Sequence, residues 1–227
     1  MIGDASDLKI VAIGGSLREG SFSYLALEHA TRLLTGLGCQ TRLLDLRVMR
    51  LPFCNGDNKD PRREYPAVAE LRRAVRDAHG LVLATPEYHG GVSGVLKNAL
   101  DLLSMEHLAG KVAGVISVSG GGPNSNALND LSRILRCCHA WVLPQQIAIG
   151  RAQTVFLNGE ITDAELLNRF VRFAHSLAWS AARIGNGVAQ PAPINKKQKG
   201  VIRETIHSSL PFFGVGGDSI GMVRSVE

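Results

Sequence analysis

Residues 14–27 read GGSLREGSFSYLAL and place Ser16, Arg18, Ser21 and Ser23 between glycines, just after the apolar run LKIVAI. Gly15 to Gly20 has the glycine spacing of a nucleotide-phosphate loop. The Lys and Ser/Thr that would complete such a loop are replaced by Ser21 and Phe22. Without that lysine and the metal-binding hydroxyl, nucleotide hydrolysis is disfavoured. Hydroxyls, one guanidinium and a helix start suit a different anion, a monophosphate held mainly by neutral donors. The phosphate of FMN fits that description. Gly-x-Gly-x-x-Gly is absent, so a dinucleotide fold of the Rossmann kind is disfavoured too, and Asp45 near the end of the second strand reads as a solvated loop acid rather than a ribose ligand.

Two further loops are rich in Gly, Ser and Asn: TPEYHGGVSG (85–94) and SGGGPNSN (119–126). In the first, Pro86 fixes the chain direction and Gly90 permits close backbone approach to a flat ring. His89 offers a proton donor, but a loop histidine is the plainer reading. Glu87 reads as a hydrogen-bond acceptor rather than a base.

The elements that must position these loops follow from hydrophobic periodicity. KIVAI (9–13), QTRLLDL (40–46), LVLAT (81–85), KVAGVISVS (111–119) and WVLPQQIAI (141–149) read as strands. Helical periodicity covers the stretch after Ser21, then 66–80, 94–104, 126–138 and 163–184. Strand–helix alternation with continuous apolar strands predicts an α/β three-layer sandwich around a five-stranded parallel sheet of flavodoxin-like order 2-1-3-4-5. The three polar loops follow strands one, three and four, so right-handed crossovers bring them to one edge of the sheet.

Together, GSLREGSFSYLAL and PEYHGGVSGVLKNALD resemble the NADPH-dependent FMN reductase family, flavodoxin-like enzymes that include quinone, chromate and azo reductases. The resemblance covers about residues 8–185. It implies that Ser16, Arg18, Ser21 and Ser23 hold the FMN phosphate, and that Pro86, Glu87, Tyr88, His89 and Gly90 lie along the isoalloxazine ring. It also implies that Ser119, Gly120, Gly121 and Gly122 meet the pyrimidine end of the flavin. Lys97, Asn98 and Asp101 are implied to place their helix and to serve subunit contacts. The implied activity is ping-pong: NADPH (or NADH) gives a hydride to FMN, and a small-molecule acceptor (quinone, free flavin, chromate or azo compound) takes the electrons. A homodimer or homotetramer is expected, with Leu96, Leu100, Leu103 and the Leu51-Pro52-Phe53 loop as the supporting apolar residues.

Composition narrows the rest. The chain has 227 residues, 45% of them hydrophobic and 5% aromatic, with a formal net charge of +5. So few aromatics argue against a stacking platform for nucleic acid, and no basic stripe is present. Four cysteines without metal-ligand spacing, no signal-like start and no long apolar run predict no metal, no membrane span and a cytoplasmic location. Residues 1–187 are expected to form the flavin domain and 188–227 a linker and tail. FFGVGGDSI, near the end, resembles a phosphopantetheine attachment motif around Ser219, but 188–227 is too short for a whole carrier domain. A flavodoxin-type electron carrier is the first rival reading, although such carriers tend to be acidic and this chain has a pI of about 9.2. A reductase linked to a carrier-protein system is the second.

Overall fold

The computed structural model describes residues 7–56, 65–123 and 125–184. The tail, with the expectations placed on 188–227 and Ser219, lies outside the described residues.

The apolar run after Leu8 forms β1 (Lys9–Gly14), and the polar loop leads into α1 (Phe22–Gly36). Then follow β2 (Gln40–Leu44), the single turn α2 (Leu46–Met49) and α3 (Pro66–Asp77), which has proline in its first turn. β3 (Gly80–Tyr88) runs into the short antiparallel β4 (Gly91–Val92), and α4 (Gly94–Asp101) and α5 (Met105–Leu108) return the chain. β5 (Val112–Val118), α6 (Asn126–Cys137), β6 (Trp141–Val142) and β7 (Ile147–Ile149) complete the main sheet. A single turn α7 (Ala152–Val155), the small hairpin β8 (Phe156–Leu157) and β9 (Glu160–Ile161), and the long α8 (Ala164–Ile184) follow.

The sheet order is β2-β1-β3-β5-β6, with β7 beside β5 and β4 beside β3. This is the expected order, but the sheet has seven strands rather than five, and one of them is antiparallel. The predicted fifth strand is split because Pro144, which has no N–H to give a ladder, lies between β6 and β7. The extra strand β4 arises because His89 and Gly90 both have positive φ, 52° and 75°, and fold the chain back on β3. The second strand stops at Leu44, because the Asp45 carboxylate accepts from Arg47 N at 2.9 Å and caps α2.

Alternate residues of each central strand enter opposite cores, as a parallel sheet covered on both faces requires. Ile10, Ala12, Val82, Ala84, Val112 and Ile116 pack under α1 and α8. Val11, Ile13, Leu81, Leu83, Ala113 and Val115 pack under α3, α4 and α6. Leu96, Leu100 and Leu103 are all buried in this second core. They therefore cannot supply the subunit contact expected of them; of that set, Leu51 and Pro52 are half-buried and Phe53 is 87% exposed.

Candidate flavin site

The strand register decides which loops meet. Gly14 pairs with Ala84, and Pro86 pairs with Val118, so β1, β3 and β5 end side by side. Their loops open on a cavity of about 350 Å³ lined by Ser16, Arg18, Ser21, Phe22, Ser23, Pro86, Glu87, Tyr88, Val118, Ser119, Gly120, Ala152 and Gln153. Nine of the thirteen residues expected at the site line it. His89, Gly90, Gly121 and Gly122 do not.

The phosphate loop combines burial with polarity. Ser16, Ser21 and Ser23 are 5%, 4% and 1% exposed, although each carries a hydroxyl. Ser16 Oγ accepts from Arg18 N at 3.2 Å. Ser21 occupies the N-cap position of α1 but makes no side-chain cap; its hydroxyl lies 2.8 Å from that of Ser23. Buried hydroxyls at a helix start, not used for capping, form a donor set suited to an anion. The Arg18 guanidinium lies 5.7 Å from the Phe22 ring centroid, a cation–π distance that keeps it at the cavity wall.

The second loop is tied into the fold by side chains outside the expected set. Thr85 and Ser93 are buried, and Ser93 Oγ donates to Gly15 O at 2.6 Å. Gly15 N in turn donates to Ala84 O at 2.7 Å. Only glycine fits at position 15, where a Cβ would lie 2.7 Å from Ser93 Oγ and 2.8 Å from Leu96 Cβ. Glu87 Oε2 accepts from Ala127 N at 3.3 Å, in the first turn of α6, so it is an acceptor as read from the sequence. His89 is exposed, and its left-handed backbone serves the β3–β4 turn rather than the cavity. Asn98 Oδ1 accepts from Cys54 N at 2.9 Å and its Nδ2 donates to Pro52 O at 3.0 Å, holding loop 52–54. Lys97 pairs with Asp101 at 2.7 Å along α4.

The third loop is exposed at residues 120–122. Ser119 N donates to Ile149 O at 2.8 Å, Arg151 N to Gly121 O at 2.5 Å, and Gln153 Nε2 to Gly120 O at 3.3 Å. Ser119 Oγ closes the turn on Gly122 O at 3.0 Å. Gln153 was not visible as a site residue in the sequence, because it lies 31 positions beyond Gly122, outside every motif the sequence offered.

Behind the phosphate loop, Asp45 is not a solvated acid. Arg47 Nη2 donates to its Oδ2 at 2.7 Å and Nε to its Oδ1 at 2.9 Å. Those side-chain hydrogen bonds hold the Asp45 carboxyl below its ordinary pKa. The same guanidinium sits 4.2 Å from the Tyr24 ring centroid, bracing the first turn of α1.

The cavity fits FMN on its own chemistry. An anion cradle of buried hydroxyls and a helix start stands at one end, and an extended proline-led wall and an open turn lie at the other. A Cβ placed on Gly120 would meet nothing within 4 Å, so the backbone there can be approached closely. Among the described residues, no group of three or more His, Cys, Asp or Glu side chains could hold a metal.

Fold and cavity together define a flavodoxin-like α/β flavoprotein. The sequence pattern of the family described as NADPH-dependent FMN reductase matches residues 8–154, and the chain belongs to that family of oxidoreductases. Among its relatives, the NADPH-dependent FMN reductase ArsH of Shigella flexneri is 36% identical over 154 residues, 66% of this chain and 58% of that protein. The chain thus matches less than two thirds of that relative's length. The NADPH azoreductase of Bacillus sp. (strain OY1-2) is 34% identical over 143 residues, 63% of this chain and 76% of that protein. The fold is shared with FerB, a flavoenzyme NAD(P)H:(acceptor) oxidoreductase from Paracoccus denitrificans, at TM-score 0.65 and 20% identity, covering 78% of this chain and 98% of FerB. An NADH:FMN oxidoreductase named EMOB superimposes at TM-score 0.61 with 26% identity, covering 79% of this chain and 96% of EMOB.

Proposed function

We propose that this chain binds FMN in the cavity at the strand ends and carries electrons from NADPH (or NADH) to a small acceptor such as a quinone, free flavin, chromate or azo compound. The observation that carries this reading is the meeting, in one cavity, of the serine-rich loop after β1 with the Pro86–Tyr88 wall and the Ser119–Gly120 turn. Ser16, Ser21, Ser23 and Arg18 would hold the phosphate. Pro86, Glu87 and Tyr88 would form the wall for the ring, and Ser119 and Gly120 would meet its pyrimidine end. FMN supplies the ring that accepts a hydride and passes electrons on. The residues of this chain bind it, orient it and keep water from one face. No side chain is assigned as an acid or base, since Glu87 is held by α6 and His89 does not line the cavity.

The family match over residues 8–154 and the last described helix, ending at Ile184, support residues 1–187 as the flavin-binding unit, with 188–227 as a linker and tail. Among the described residues no helix is long and apolar enough to cross a membrane, and Cys39, Cys54, Cys137 and Cys138 carry no disulfide, the thiol state that a cytoplasmic setting would keep. Exposed Phe53 and Val48, at 87% and 72%, support a homodimer or homotetramer, and Phe53→Ser should then shift the mass measured by light scattering towards the monomer. Anaerobic titration of the FMN-loaded protein with NADPH tests the main reading. Bleaching of the flavin absorbance near stoichiometric NADPH, with no partner protein added, is the expected result. Flavin that binds but is not bleached would indicate an electron carrier of the flavodoxin type instead.

A further inference from the structure

One buried hydroxyl outside the cavity lining, that of Ser93, joins its two principal loops, and a second, that of Thr85, holds the Ser93 backbone within the second loop. Thr85 is fully buried and Ser93 is 1% exposed. Ser93 N donates to Thr85 Oγ1 at 3.0 Å, and Thr85 Oγ1 donates to Pro86 O at 2.8 Å. Ser93 Oγ donates to Gly15 O at 2.6 Å and accepts from Leu96 N at 3.3 Å. Capping α4 accounts for the Leu96 bond only. The bond to Gly15 reaches across 78 positions to the residue before Ser16. Gly15 is thereby fastened on both sides, through its N–H to Ala84 of β3 and through its carbonyl to Ser93 of the second loop.

We propose that Thr85 and Ser93 are positioning residues that set the spacing between the phosphate cradle and the ring wall, and so determine how much of the affinity for FMN comes from its phosphate. The proposal rests on the flavin reading above. The ligand has a fixed reach from ring to phosphate. Both ends are bound at full strength only when the two loops stand at the matching separation, and errors well under 1 Å weaken such a match. Burial makes the link stiff: each hydroxyl bond broken leaves a carbonyl or N–H without water to replace it. Fully buried on β3 beside Ser117, position 85 could take valine for packing alone, so the hydroxyl is what the loop geometry requires.

The test compares FMN with riboflavin, which lacks the phosphate, by equilibrium titration of the flavin-free full-length protein with fluorescence readout. Arg18→Ala is run first and should shrink the ratio of FMN to riboflavin affinity. No change in that variant would remove Arg18 from the phosphate site, whereas a parent protein that binds both flavins equally would overturn the phosphate site and this proposal with it. Thr85→Val, which keeps the shape, and Ser93→Ala should each lower the ratio by about tenfold, as expected for one buried hydrogen bond, while riboflavin affinity changes by less than about threefold. Thr85→Ser should restore the parent ratio. With a parent that prefers FMN, an unchanged ratio in Thr85→Val, or equal losses for both flavins, would show that the pair serves stability only. Ser93→Ala also removes a helix cap, so Thr85→Val carries the decision if the former fails to fold.

Discussion

The phosphate loop and the glycine turn face each other across one cavity and are held by opposite means. Residues 15–23 rest on buried side-chain hydroxyls and a glycine with no room for a Cβ. Residues 119–122 are held at the surface, mainly by main-chain bonds from the segment around 149–153. Buried polar links are costly to leave half-made, so the first region is stiff. Exposed links exchange with water at little cost, so the second can adjust. The stiff side is suited to a phosphate, whose position does not change with redox state. The adjustable side is suited to the ring end, where charge changes on reduction.

Substitutions can break that contrast. The largest effect is expected from Gly15→Ala, whose new methyl would press on both Ser93 and Leu96. Overpacking of this kind costs about 1–3 kcal/mol, and retained flavin should be lost as well. Thermal unfolding and the flavin content of the purified protein check both parts. Next comes Arg18→Ala, which should weaken FMN binding by about 1.5–3 kcal/mol with an unchanged melting temperature. An unaltered FMN affinity would remove Arg18 from the phosphate site.

The adjustable side should respond less. Gly120→Ala meets open space, so stability should stay within about 0.5 kcal/mol of the parent, while FMN affinity falls if the ring edge lies on that backbone. Gln153→Ala removes one exposed bond to the turn and should weaken FMN only a few-fold. A loss as large as that of Arg18→Ala would contradict the contrast between the regions.

The smallest effect lies behind the phosphate loop and depends on pH. Arg47 holds the folded-state pKa of Asp45 below its unfolded value. The resulting stabilisation is complete above the unfolded pKa, about 3.9, and is lost as pH falls through the folded value. Asp45→Asn should therefore lower stability at pH 7 and converge with the parent in strong acid, once pH has fallen through that folded value. Urea unfolding at the two pH values measures it.

Much of this was legible in the sequence. Runs such as KIVAI and LVLAT mark buried strands because both faces of a parallel sheet are apolar, and the α8 face of Leu166, Phe170, Phe173 and Leu177 is buried as its periodicity predicts. On α1, however, the buried face is Ser23, Ala26, Leu27, Ala30 and Leu34, while Leu25 and Leu33 are only partly buried. Small residues and a serine carry that face, and hydrophobicity alone passes over them. Asp45, Thr85, Ser93 and Gln153 escaped for a related reason. Their roles come from partners distant in sequence or from local capping, and a hydroxyl or amide shows no period. His89 shows the converse: a loop histidine was the plainer reading of its sequence, and its left-handed backbone gives it a turn to make.

The interruption of the last strand has a consequence for how copies of this chain can meet. One edge of the main sheet presents only two residues at β6 and three at β7, separated by Pro144. A strand from another molecule would find too few consecutive free amides there to zip onto. At the opposite edge, β2 carries Arg42 in its middle, paired with Glu70 at 2.5 Å. Short, broken or charged borders are how folded proteins escape runaway polymerisation of their sheets. Among the described residues, self-association by sheet extension is thus discouraged at both borders, which leaves helix and loop surfaces as the ground on which subunits can join.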